Sequence, residues 1–228
     1  SLDGLREPHD FFRKPGSFDC TLEKIPVLKK AGIRAVIMST VSARNIAEIP
    51  ALIDVVAGLA DVYAFARYCP TSAEKSNGIN PRDYRNFLDT CHKKFTAYEN
   101  SGCETFFNRK DHLWTLYEFE AGLFKIPSNV DSGTIYGGCN CGNSHLTILP
   151  NGDVYACRRV QNSRVSNIFE ENLSDVWLTK MERYREYDKF EKCSRCKLLA
   201  YCRGCPAVAA GSSGGNFYAK DPQCWIEP

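Results

Sequence analysis

Eight cysteines packed into the last 90 residues constrain this 228-residue chain more than any other feature. They are Cys139, Cys141, Cys157, Cys193, Cys196, Cys202, Cys205 and Cys224, whereas Cys20, Cys69, Cys91 and Cys103 are scattered over the first 130. A crowded set of this kind means either disulfides or metal, and compartment decides between them. The chain opens on SLDG with no secretory pattern, which favours metal, and a cytoplasmic location is the expectation. The spacing adds detail. Cys141 is followed by ten residues, Gly152, four residues and Cys157; then come Cys193-x2-Cys196-x5-Cys202-x2-Cys205 and, after a gap, Cys224. Two thiolates separated by two residues can turn onto one centre while the intervening amides point at the sulfurs. Gly152 allows a tight turn that carries Cys157 back towards Cys141, and Gly204 removes a side chain beside Cys205. Taken alone, a C-x2-C pair does not exclude zinc.

The part before residue 130 has a different character. Thr21–Lys30 carries Leu22, Ile25, Val27 and Leu28 at helical spacing and stops at Gly32. Ala35-Val-Ile-Met38 is a short continuous apolar run, as expected of a parallel strand covered on both faces. A polar turn to Asn45, a helix over 46–59 and a second strand, VYAFA at 62–66, follow. Pro8–Gly16 reads as a polar loop, and two further helices are expected over 81–99 and 111–124. Strand, loop and helix repeating in this order imply right-handed βαβ units and a parallel sheet, whose chemistry sits at the carboxyl ends of the strands. Those ends are Ser1–Gly4, Thr40–Asn45 and Arg67–Pro70. Two strands and a helix make no stable domain alone, so the rest of the sheet is expected upstream of Ser1. Ser128–Gly138 reads as a linker, giving domains 1–130 and 131–228. In the second, residues 146–149 and 153–156 flank Pro-Asn-Gly, the signature of a β-hairpin, and residues 173–184 read as a helix capped near Asn172 or Ser174. A net charge of +2 makes nucleic acid an unsuitable partner, and no apolar run is long enough to enter a membrane as a helix.

The cysteine pattern resembles that of the SPASM domain at the carboxyl end of many radical S-adenosylmethionine enzymes. That pattern runs C-x9–15-G-x4-C, gap, C-x2-C-x5-C-x3-C, gap, C, and the chain departs from it only in the two-residue spacing of Cys202 and Cys205. The flanking strings ILPNGDVYACRR, CRGCPA and DPQCW agree with it. The resemblance implies two auxiliary [4Fe–4S] clusters with interleaved ligands. Cys141, Cys157 and Cys205 would hold the first, with Cys139 as candidate fourth ligand or an iron left open to substrate. Cys193, Cys196, Cys202 and Cys224 would hold the second. The remaining four cysteines are expected to be inert, with Cys69, just past a strand end, the exception to watch.

SLDG, His9-Asp10-x2-Arg13, Gly16-Ser-Phe18, Thr40-x4-Asn45 and Arg67-x2-Pro70 resemble the second half of the barrel in the same family. The fold class implied is α/β, a partial radical SAM (β/α) barrel followed by a small α+β iron–sulfur domain. By the same resemblance Ser1 would approach the S-adenosylmethionine ribose, Arg13 its methionine carboxylate, and Asn45 would be a weaker contact. The C-x3-C-x2-C motif that binds the family's third [4Fe–4S] cluster is absent from these residues, so this chain alone is expected to be inactive within an active parent. The implied chemistry is hydrogen abstraction by a 5′-deoxyadenosyl radical from a peptide or protein substrate, with flavodoxin or ferredoxin as electron donor. A sulfatase-maturing (formylglycine) enzyme, a tetrapyrrole-modifying enzyme and a non-catalytic iron–sulfur or zinc module are the alternatives.

Overall fold

A computed structural model describes residues 1–71, 74, 76–131 and 133–227. The chain forms two compact units, one of residues 1–68 and 77–114, the other of residues 69–76 and 115–228. The boundary expected at residue 130 thus falls inside the second unit, and Ser132 of the expected linker lies outside the described residues.

The first unit is built on a parallel sheet. Its elements are α1 (Arg6–Phe12), α2 (Ser17–Lys30), β1 (Val36–Val41), α3 (Ile49–Val56), β2 (Val62–Arg67), α4 (Pro81–Asn100) and β3 (Phe106–Asn108). β2 lies between β1 and β3, with Val36 opposite Val62 and Val62 opposite Phe106. The βαβ reading therefore holds, with a third strand that FFN is too short to announce. The polar stretch expected to be a loop is largely α1. Asp10 explains why this helix is needed: its carboxylate accepts hydrogen bonds from the Gly16 and Phe18 amides at 2.7 and 2.8 Å and so caps α2 from outside. α4 starts more conventionally, with Asn80 accepting from the Asp83 amide and Pro81 in the first turn.

β2 is buried along nearly its whole length, as a covered parallel strand should be, whereas β1 alternates and leaves Val36 exposed. The core on the β2 side is aromatic. Phe95 stacks on Phe107 at 4.7 Å and lies 5.8 Å from Trp114 and 6.3 Å from Phe65. At the carboxyl end of β2 the buried Arg67 guanidinium meets Asp111 at 3.0 Å and stands over the Tyr84 ring.

The second unit takes in most of α5 (Trp114–Glu120) and the antiparallel strands β4 (Thr147–Ile148), β5 (Asp153–Tyr155) and β6 (Arg164–Asn167). The hairpin read from Pro-Asn-Gly is β4–β5, with Gly152 at φ +85°. β6 adds a strand that the sequence reading left out. The expected helix over 173–184 divides into α6 (Leu173–Leu178) and a 3₁₀ turn at Glu182–Arg185, and Asn172 caps α6 through the Ser174 amide at 2.9 Å. A further helix, α7 (Pro206–Ser212), begins directly after Cys205 and is almost wholly buried. Among the described residues no helix is long and apolar enough to cross a membrane.

Candidate metal centre

The cysteines of the second unit gather in two places. Cys193, Cys196, Cys202 and Cys224 line one cavity, whose walls also include Leu116, Leu198, Ile226 and Gly204. A 3₁₀ turn over Cys193–Arg195 brings the first two sulfurs to one side, with the Cys196 amide bonded to the Cys193 carbonyl at 3.0 Å. Backbone amides point at the sulfurs, that of Gly204 at Cys202 and that of Ile226 at Cys224. Burial first, and neighbouring cysteines after it, push the Cys193 and Cys202 thiols up to about 12. Thiols so placed resist ionising by themselves, and a cationic iron centre would reverse that balance.

The second group contains one more sulfur than the sequence reading assigned to it. Cys141 is hydrogen-bonded to both Cys139 and Cys157, so the hairpin does return Cys157 to Cys141. The Arg159 amide points at the Cys157 sulfur, and the Cys157 thiol is lowered, first by its bond with Cys141 and then by this amide. Cys205 is hydrogen-bonded to Cys69, whose thiol also faces Cys157. Cys69 is thus a member of the group, although it was expected to be inert. Its sole clue in the sequence was its position just past the end of a strand. Among the described residues no three Cys, His, Asp or Glu side chains close round a single-ion point. Sulfur-only donor sets with amides aimed at them suit iron–sulfur clusters.

Arg203 and Gly204, the two residues inside Cys202-x2-Cys205, tie the groups together. Arg203 is buried and donates to the carbonyls of Cys139 at 2.6 Å, Gly137 at 3.0 Å and Leu199 at 3.2 Å, which fixes the Gly137–Cys139 segment. Gly204 sits at φ +59°, and a Cβ there would lie 2.6 Å from the Asp221 side chain. The space that Gly204 leaves is therefore filled by Asp221 as well as bordering the cavity. The Asp221 carboxylate accepts from the Cys205 amide at 2.8 Å and the Gln223 amide at 3.0 Å, and its carbonyl accepts from the Cys224 amide. One buried aspartate thereby braces a cysteine of each group.

The residues singled out in the first unit converge on Asp3. The Leu2 amide pairs with the Met38 carbonyl at 3.1 Å, so the SLDG segment does run beside β1. The Asp3 carboxylate accepts from the Thr40 amide and from Arg13 Nε, both at 2.7 Å, and the Asp3 amide donates to His9 Nδ1 at 3.0 Å. His9 is buried, and burial lowers its pKa, which keeps the ring neutral in a structural role. Asn45 is buried as well. Its amide donates to the Asp3 and Thr40 carbonyls at 2.7 and 2.8 Å, and its oxygen accepts from the Ser42 amide at 2.8 Å. It latches the loop after β1 and does not cap α3, which begins at Ile49 after Glu48. Ser1 is exposed, and Arg13 keeps 46% of its side chain exposed while paired to Asp3. Asp3 is the residue that sequence reasoning missed, although it lies inside a quoted motif.

Residues 139–206 match the model of the SPASM family, an iron–sulfur cluster-binding domain. Along its whole length the chain is 27% identical to an AdoMet-dependent heme synthase of Methanosarcina barkeri, of which it covers 67%, and 26% identical to one of Oleidesulfovibrio alaskensis, of which it covers 61%. An Fe-coproporphyrin III synthase of Methanosarcina barkeri is 24% identical, with 99% of the chain and 61% of that protein covered. Among solved structures, Streptococcus suis SuiB bound to S-adenosylmethionine aligns over 99% of the chain and 53% of its own length, with TM-score 0.68 and 20% identity. SuiB bound to its precursor peptide SuiA aligns with TM-score 0.69 over 52% of its length, again at 20% identity. The chain therefore spans about two thirds of these curated relatives and about half of these solved chains. With the cluster-binding domain matched at its carboxyl end and the fold aligned throughout, the chain has the fold of a partial radical S-adenosylmethionine (β/α) barrel followed by a SPASM domain.

Proposed function

We propose that this chain is the auxiliary-cluster part of a radical S-adenosylmethionine enzyme that modifies a peptide or protein substrate. The observation that carries the reading is the division of the carboxyl-terminal cysteines into two sulfur groups, each served by backbone amides. Cys193, Cys196, Cys202 and Cys224 would hold one [4Fe–4S] cluster, and Cys141, Cys157 and Cys205 three irons of the other. When bound, such clusters supply one-electron transfer or an iron site for substrate. The protein's part is to hold the thiolates, to offset their charge with Arg159, Lys192 and Arg203, and to keep water out with the Val154–Phe217 apolar cluster. Arg13, held by Asp3, would present its remaining donors to a carboxylate such as that of methionine.

A tetrapyrrole substrate is the second reading, favoured by the heme and coproporphyrin synthases related along the whole chain. The peptide reading draws on the SPASM family resemblance and on a fold shared with a peptide-bound protein. The test uses the longer parent protein, anaerobically loaded with iron, with S-adenosylmethionine and reduced flavodoxin. 5′-Deoxyadenosine formed in step with modification of a peptide encoded beside the parent gene supports the main reading. Turnover of an iron porphyrin in its place supports the second. The 228-residue chain alone should form no 5′-deoxyadenosine, and formation by it would contradict its expected dependence on the missing C-x3-C-x2-C motif.

A further inference from the structure

The sequence pattern supplies three ligands for the first cluster and leaves the fourth to Cys139 or to nothing. The structure offers five sulfurs, in the order Cys139, Cys141, Cys157, Cys69, Cys205. Cys139 faces Cys141 and Cys157, at the end of the group where Tyr187 and Arg203 also stand. Cys69 faces Cys157 and Cys205, two of the three pattern ligands. We propose that Cys69, delivered by the loop that follows β2, is the fourth ligand of the first cluster. The proposal rests on the two-cluster reading above.

Three observations argue for a built position. Cys69, Pro70 and Thr71 group with the second unit although β2, which precedes them, belongs to the first. Pro70 lies directly on α7, whose first residue follows Cys205: a Cβ on Gly211 would come within 2.1 Å of the Pro70 carbonyl oxygen. Only a glycine permits that approach, and the approach sets Cys69 against Cys205. Finally, the Arg159 guanidinium lies 3.9 Å from the Cys69 sulfur, where it would offset the charge of a thiolate. Cys139 is less well placed. It is separated from Cys141 by a single residue, and its peptide carbonyl is held by Arg203 at 2.6 Å. On binding, the Cys69 thiol gives its proton to solvent as the sulfur–iron bond forms, with no change of oxidation state.

The test compares Cys69→Ala, Cys69→Ser and Cys139→Ala with the unaltered chain after anaerobic reconstitution with ⁵⁷Fe and sulfide. Iron content, Mössbauer spectra and the electron paramagnetic resonance of the reduced protein are the readouts. Cys69→Ala should lose up to half of the roughly eight irons, or keep them with one iron made distinct and able to bind added cyanide. Cys139→Ala should keep iron content and spectra unchanged. If Cys69→Ala fails to fold by circular dichroism, Cys69→Ser decides by the same spectra. Unchanged iron and spectra in the Cys69 variants would overturn the proposal, as would loss of the first cluster in Cys139→Ala. An unaltered chain that holds no iron would instead defeat the two-cluster reading itself.

Discussion

Replacing Gly204 by alanine should damage both cysteine groups at once. The residue sits at φ +59°, where a side chain costs about 1–2 kcal/mol. Its new Cβ would also fall 2.6 Å from Asp221 Cβ and Oδ2, closer than packed atoms tolerate, and forcing an extra methyl into a filled site costs about 1–3 kcal/mol. Together these give about 2–5 kcal/mol, a large part of the 5–15 kcal/mol or so typical of a folded protein. Relief requires moving Asp221, which would release the Cys205 amide at one group and loosen the Cys224 turn at the other. The assay is anaerobic circular dichroism melting together with iron analysis. The apparent Tm should fall by about 4–20 °C, with iron lost from both clusters. Gly214→Ala is the control: it has a similar positive φ of +71° with open space around it, so it should show the backbone cost alone and keep its iron. A Gly204→Ala chain with unchanged Tm and iron content would refute the account of Asp221 as a shared brace.

Other expectations concern the first unit and the cysteines. Asp111→Ala strands the buried Arg67 charge and should cost about 3–5 kcal/mol, measurable by urea unfolding. Burial pushes the Asp111 carboxyl up, but Arg67, His112 and the Leu113 amide hold it below the usual carboxylate range. With the folded value below the unfolded one, its stabilisation is complete above about pH 4 and disappears as pH falls through the folded value; Asp111→Asn should flatten that part of the acid-unfolding profile. Phe95→Ala empties the centre of the aromatic core and should cost about 3–5 kcal/mol in the same assay. Cys193→Ala should remove one cluster's worth of iron, whereas Cys20→Ser, at an exposed site on α2, should leave iron content unchanged.

Much of this organisation was legible because it is local. Asn151-Gly152 determined the hairpin, Asn172 the start of α6, and the continuous run Val62–Ala66 the buried strand β2. What escaped depends on contacts distant in sequence. α1 buries His9 but leaves Phe11 and Phe12 exposed, and it is justified by Asp10 reaching forward to cap α2, a role that no periodicity records. β3 is three residues long and exists by pairing with β2. The candidate contact Asn45 was visible as a polar residue at a strand end and Arg13 through the family resemblance, but the acid that organises them, Asp3, gains its meaning only when β1 brings Thr40 beside it. Cys69 is the sharpest case. It lies 88 residues from Cys157, the nearer in sequence of the two pattern ligands it faces (157 − 69), and what places it in the sulfur group is the fit of Pro70 on Gly211.

All of these readings require that the grouped thiols of the carboxyl-terminal unit bind iron and inorganic sulfide. The direct measurement is metal and sulfide analysis of the anaerobically prepared chain, with its visible spectrum. About eight irons and eight sulfides per chain, with broad absorption near 400 nm or so, is the predicted result. A colourless protein carrying zinc and no sulfide would contradict it.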